Sequence, residues 1–350
     1  MEKKQLDWAN LKFAYQPTDY RFVTNWKQGK WDDGILTKDP NVVLNECADV
    51  LHYSQSGFEG MKAYTTEDGR TVTFRPDLNA ERFENTCKQL MMPVYPKDQF
   101  IKAVADTIRA NLAWVPPYGS GASLYVRPVM FGSGEMIGVA PASEYQFRIF
   151  TTPVGPYFKN GIKPIRLMVS DFDRAAPHGT GNIKAGLNYA MSLYAGMLAH
   201  SLGYDENMFL DSATRTWIEE TGGANFVFIT KSGKLVTPKS PTILPSVTRR
   251  SICYVAEHYL GMQVEERKVA FEELGDFAEA GVCGTAAVIC PIGLVHGKEK
   301  DYYLPSGMDK PGPVIQKLYD TLTGIQMGRI EAPKGWIHEI SLEASQKIAG

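Results

Sequence analysis

Between Thr152 and Pro164 the chain reads TPVGPYFKNGIKP, with three prolines and two glycines. Proline fixes φ and removes a backbone donor, and glycine weakens helix and strand alike, so this stretch has little room for regular structure. It divides the chain, and the expectation is one domain over residues 1–155, a linker over 156–163 and a second domain over 164–350. With 350 residues, 44% of them apolar, both halves can bury a core.

Strand-like and helical segments alternate on both sides of the break. VVLNECADVLHYS and RTVTFRP read as extended, and DLNAERFENTCKQLMM as a helix capped by Asp77. DQFIKAVADTIRANLAWV places Ile101, Val104, Ile108 and Leu112 on one helical face, with Asp98 as its cap, and ASLYVRPVMFG and EYQFRIFTTP are strands. Beyond the linker come the strand PIRLMVS, the helix AMSLYAGMLAHSLG and the strand ENMFLDS. A hairpin follows around Ser232-Gly233, then a helix capped by Ser246 and a late helix GPVIQKLYDTLTGIQ. The class is α/β or α+β, with mixed sheets in two domains.

Composition removes several functions. A net charge of −2 without a long basic run gives no nucleic-acid footprint. No run reaches the roughly 18 apolar residues of a membrane span. The opening MEKKQLDWAN carries no apolar stretch of signal-peptide length, and the five cysteines are odd in number and scattered, so the expectation is a cytoplasmic protein with reduced thiols. Neither cysteines nor histidines recur at metal-ligand spacing, and no metal site is expected.

The chemistry lies in HGTGNIKAGLNYA, His178 to Ala190. Lys184 sits among glycines, yet the spacing fits neither the phosphate loop nor the G-x-G-x-x-G fingerprint. Lysine, unlike arginine, loses its proton readily when desolvated and then forms an imine with an aldehyde. The best-known biological aldehyde of this kind is pyridoxal phosphate (PLP), which also needs a carboxylate at its pyridine nitrogen and donors for its phosphate and ring hydroxyl. Elsewhere, Tyr125 and Arg127 are two apart in SLYVRP and project from one strand face; an aromatic beside a guanidinium suits a site that accepts both an aliphatic side chain and a carboxylate.

The blocks FEGMKAY, FRPDLNAERF, SLYVRP, GTGNIKAGLNYA, EETGGANFVF, ILPSVTRR and CGTAAVICP, spread over most of the chain, resemble those of the branched-chain amino-acid aminotransferases, a family of fold-type-IV PLP enzymes. The resemblance implies a smaller N-terminal and a larger C-terminal domain with the active site in the cleft. It implies that Lys184 forms the internal aldimine and moves the proton between substrate Cα and cofactor C4′. Tyr189 would bond the ring hydroxyl and Glu220 the pyridinium nitrogen, with Glu219 facing the other way. Arg82, the backbone amides of Val247 and Thr248 at a helix start, and the Thr285 hydroxyl would hold the phosphate. Arg127 would take the distal carboxylate of glutamate or 2-oxoglutarate, Tyr53, Phe58, Tyr125 and Tyr157 would form the wall, and Gly223 and Ala286 would receive the substrate α-carboxylate. A homodimer is implied, with Tyr53 among the residues able to reach a partner's pocket.

The chain departs from family members in three places. Leu187 stands where many carry a second glycine, and Gly222-Gly223 replace a Gly-Thr pair of animal members. Ala287 replaces the first cysteine of a two-cysteine redox switch, leaving Cys290 alone, so no thiol switch is expected. The expected reaction is reversible transfer of the amino group between leucine, isoleucine or valine and 2-oxoglutarate. The alternatives are a D-amino-acid transaminase or an aminodeoxychorismate lyase of the same fold, and, in another class, a phosphate- or nucleotide-binding transferase without imine chemistry.

Overall fold

The computed structural model describes residues 2–158 and 161–341. The chain forms two compact units, one of Met1–Lys159, Ile183–Leu187 and Ile325–Gly350, the other of Asn160–Asn182 and Asn188–Gly324.

The first unit opens with β1 (Arg21–Lys27), β2 (Lys30–Trp31), β3 (Ile35–Thr37), α1 (Asp49–Tyr53), β4 (Ser56–Phe58), β5 (Met61–Thr65) and β6 (Thr71–Phe74). It continues through α2 (Pro76–Gln89), α3 (Lys97–Ala110), β7 (Ser123–Gly132) and β8 (Tyr145–Val154). β7 and β8 pair antiparallel from Ser123↔Val154 to Gly132↔Tyr145, and β4 and β5 both pair with β7. Alternate residues of β7, Leu124, Val126 and Met130, join Phe83, Phe100, Val104, Ile108 and Phe147 in the core. Side chains alternate along a strand, so Tyr125 and Arg127 lie on the opposite face of the sheet.

In the second unit β9 (Ile165–Val169), α4 (Gly186–Ser201) from Asn188 onward, β10 (Glu206–Met208), β11 (Asn225–Thr230) and β12 (Leu235–Pro238) are followed by α5 (Val247–His258) and β13 (Val264–Arg267). Then come β14 (Phe277–Gly284), β15 (Val288–His296), β16 (Asp301–Tyr303) and α6 (Pro313–Gln326). The strands form one mixed sheet in the order β10-β9-β15-β14-β11-β12-β13, with β16 on β15. The hairpin turn falls at Gly233, which has φ +85°. Finally β17 (Ile337–Glu339) pairs with β6 in the first unit.

Three local expectations are corrected. The segment read as extended before Ser54 contains α1, because the Asp49 N–H is drawn to the Gly134 carbonyl and the Leu51 N–H to that of Ala48. Asp77 and Asp98 are not caps but first-turn residues, behind Arg75 and Pro96 respectively; they complement the helix dipole rather than an end N–H. Ser246 does cap α5, accepting from the Arg249 N–H at 3.1 Å. The chain also passes between the units more often than one linker implies. Ile183–Leu187 belongs to the first unit because Ala185 bridges to Gly57, and residues from Ile325 onward do so with β17.

Phe147 is fully buried between Tyr95, Phe83 and Phe100, with ring centroids 4.7, 5.4 and 5.8 Å away. Phe147→Ala should therefore cost about 3–5 kcal/mol of stability, read from the chemical-denaturation midpoint.

Candidate active site

In the first unit, the backbone of Lys184 is pinned from two sides. Its N–H donates to Thr86 Oγ1 on α2 at 3.1 Å, and its carbonyl accepts from the Phe58 N–H at 3.0 Å. A Cβ at Gly57 would lie 2.7 Å from a Thr86 methyl carbon, so this close approach needs glycine. Lys184 Nζ lies 4.7 Å from the centroid of the Phe58 ring. Burial, and after it the Arg82 guanidinium, lower the amine's pKa to about 8. That is the environment that makes a lysine nucleophilic near neutrality.

Arg82 is buried on α2 and forms a two-point pair with Glu59: Nε donates to Oε1 at 2.8 Å and one terminal nitrogen to Oε2 at 2.7 Å. Glu59, fully buried, also accepts from Asn79 Nδ2 at 2.7 Å. Residues 79 and 82 are three apart and share a helix face, so α2 delivers both donors together.

The Arg127 guanidinium carbon lies 4.8 Å from the Phe58 ring and 5.2 Å from that of Tyr125. One terminal nitrogen donates to the Tyr125 hydroxyl at 3.2 Å. Its Nε is buried and has no acceptor among the described residues, and the cation is held against two aromatic rings. Phe13 sets its edge against Tyr125 at 5.1 Å. Its segment is tied down where the Gln16 N–H donates to Thr152 Oγ1 at 2.8 Å.

In the second unit, Glu220 is buried and held by three donors. Arg174 contacts Oε1 at 2.7 Å, the Leu244 N–H donates to the same oxygen at 2.9 Å, and Asn225 Nδ2 donates to Oε2 at 2.7 Å. Glu219 is buried too but meets other partners, the hydroxyls of Ser240 and Thr242, so neither glutamate is a surface charge. Leu244 leads directly into Ser246 and α5. There the Val247 and Thr248 N–H groups have no acceptor among the described residues, because the Ser246 cap serves Arg249. Tyr189 is on the first turn of α4. Thr285 and Ala286 lie in the turn joining β14 to β15.

Three further expected residues make contacts of their own. Tyr53 is tied by its hydroxyl to the Ile137 carbonyl. Tyr157 is exposed, edge-on to Phe158 at 4.8 Å. The Gly223 N–H is occupied inside its own turn: it donates to Thr221 Oγ1 at 3.2 Å, and the Ala224 N–H donates to the same oxygen at 2.9 Å. Sequence reasoning missed Glu59, Arg174, Thr221 and Phe13. Glu59 was visible in FEGMKAY and Thr221 in EETGGANFVF, whereas nothing local marks Arg174 or Phe13, whose partners are distant in sequence.

A family model for the class IV amino-transferases matches residues 56–295. The chain belongs to the class IV aminotransferases. The branched-chain-amino-acid aminotransferase of Haemophilus influenzae is 49% identical over 96% of this chain and 99% of its own length. The enzyme of that name from Helicobacter pylori is 48% identical over 96% and 98%. The crystal structure of the Escherichia coli branched-chain amino acid aminotransferase superposes with a TM-score of 0.78 at 28% identity, covering 93% of this chain and all of that one.

The residues of this aminotransferase fit PLP. Two unpartnered amides at the start of a 12-residue helix suit a phosphate, Glu220 is an oriented carboxylate for a ring nitrogen, and Lys184 is a desolvated amine. Capture of PLP by Lys184 would need the neutral amine, and the neutral form gains as pH rises towards about 8. The rate at which apoenzyme takes up PLP, followed by visible absorbance, should thus climb about tenfold per pH unit below that point and level off above it. A flat profile from pH 6 to 9 would contradict the lowered lysine.

Proposed function

We propose that this aminotransferase transfers the amino group reversibly between leucine, isoleucine or valine and 2-oxoglutarate, using PLP. Near-full-length identity to two enzymes named for the branched-chain reaction supports the reading. The observation that carries it is Arg127, an aromatic-flanked cation with a buried, unpartnered N–H. Phe58 and Tyr125 give an aliphatic side chain an apolar wall, and the guanidinium gives a distal carboxylate its partner.

PLP, when bound, supplies an aldehyde for the substrate amine and a ring that withdraws electrons from Cα. Lys184 takes the proton from the substrate Cα and returns it at C4′, for which its lowered basicity is suited. Glu220, fixed by Arg174 and Asn225, keeps a proton on the pyridine nitrogen. Tyr189 donates to the ring oxygen. Arg82, the Val247 and Thr248 amides and the Thr285 hydroxyl hold the phosphate, with Glu59 orienting Arg82. The Ala286 N–H receives the α-carboxylate, and Gly223 joins it where substrate displaces the Thr221 hydroxyl.

The test is a half-reaction experiment on Arg127→Leu. Loss of a charge-assisted contact should lower the efficiency of the 2-oxoglutarate half-reaction about 10–100-fold, leaving the absorbance change with leucine within a few-fold of the parent. Equal losses with both substrates would remove the role given to Arg127, and no spectral response of the parent to leucine would remove the function.

A homodimer in the cytoplasm completes the reading. α4 exposes Leu193, Tyr194 and Met197, each about two-thirds accessible, a face that a second copy would cover. All five cysteines are free thiols, as suits a reducing compartment. Sedimentation should give a dimer at assay concentration; monomer alone would refute the assembly.

A further inference from the structure

Among the described residues, six non-glycines have positive φ: Gln28, Ser54, Arg75, Met91, Arg215 and Val288. Only Val288, at φ +64°, is branched at Cβ. The left-handed region crowds any Cβ, and a second heavy substituent makes the conformation a genuine outlier.

The strain is not at a loose end. Val288 is 7% exposed and pairs with Gly284 across the mouth of the Thr285–Ala287 turn. The next ladder pairs, Cys283↔Ile289 and Val282↔Cys290, join buried residues, so the hairpin behind Val288 is fixed. On its other side Gly284 backs onto the facing turn: a Cβ there would lie 3.7 Å from the Gly223 carbonyl oxygen and 3.9 Å from Ala224 Cβ. Strain of this kind persists only where surrounding structure over-determines it, and it collects at ligand-binding turns. The turn itself is Thr-Ala-Ala, whose small side chains do little to select one conformation. Glycine at 288 would reach the same φ more easily but would also admit others.

We propose that Val288 is a positioning residue: its left-handed backbone, locked by burial of the isopropyl group, fixes the direction in which the Thr285 hydroxyl and Ala286 N–H are presented to an anion. This rests on the assignment of that turn to the cofactor phosphate and substrate carboxylate.

The experiment titrates apoenzyme with pyridoxamine 5′-phosphate by calorimetry and records the apoenzyme's thermal midpoint. Val288→Gly should weaken binding at least threefold. Ile292→Val, a fully buried trimming on the same strand, should lower the midpoint without changing affinity. Binding by Val288→Gly within threefold of the parent overturns the proposal. If Val288→Gly does not fold, Val288→Asn, which tolerates positive φ while losing the apolar lock, carries the same expectation and the same overturning result. Thr285→Val separates the two levels. If it binds as the parent does, the phosphate role of the turn is wrong, and Val288 is then judged by the same threefold criterion on the KM for leucine.

Discussion

The position of Lys184 in the first unit depends on the contact of its segment with β4, where the Phe58 N–H donates to the Lys184 carbonyl. β4 is three residues long and is held to β7 on one side, with Phe58 opposite Val129. On its other side it takes up the lysine segment through Gly57 and Ala185. One short strand thus sets the spacing between the amine and the sheet face that carries Tyr125 and Arg127. The Phe58 ring uses that spacing twice, meeting Lys184 Nζ at 4.7 Å and the Arg127 guanidinium at 4.8 Å.

Each unit solves the problem of a buried carboxylate in the same way. Glu59 is held by Arg82 and Asn79, and Glu220 by Arg174 and Asn225. A guanidinium supplies the charge and a side-chain amide a further directed bond, so each buried carboxylate is both paired and hydrogen-bonded. The two outcomes differ in use. In the first unit the pair orients the arginine, whose positive charge, after burial, lowers the basicity of the nearby lysine. In the second the pair orients the glutamate itself.

Much of this was legible in the sequence where the cause is local. The two-residue repeat put Tyr125 and Arg127 on one face, Ser246 announced a helix start, and Ser232-Gly233 announced a turn. Local cues failed where tertiary contacts decide. Asp77 and Asp98 look like caps, yet Pro76 and Lys97 are already helical, and the 49–53 helix is drawn in by a carbonyl some 85 residues away. The roles expected of Lys184, of the α5 start and of Glu220 come from a family pattern rather than from periodicity. The buried supports behind them, Arg174 above all, lie in ordinary-looking stretches. Val288 illustrates the limit, since valine in CGTAAVICP reads as plain β-strand and only the backbone dihedral reveals otherwise.

The order of the two units along the chain has a consequence for biosynthesis. The first unit is interrupted: its sheet begins at Arg21, borrows Ile183–Leu187 from mid-chain and gains β17 against β6 only at Ile337–Glu339. A ribosome therefore releases all of the second unit before the first is complete. Until then Arg75 lacks Trp336, whose ring lies 4.3 Å from its guanidinium carbon and whose carbonyl accepts its N–H. The nascent N-terminal sheet must wait with an open β6 edge, and the second unit is the part that can finish folding first.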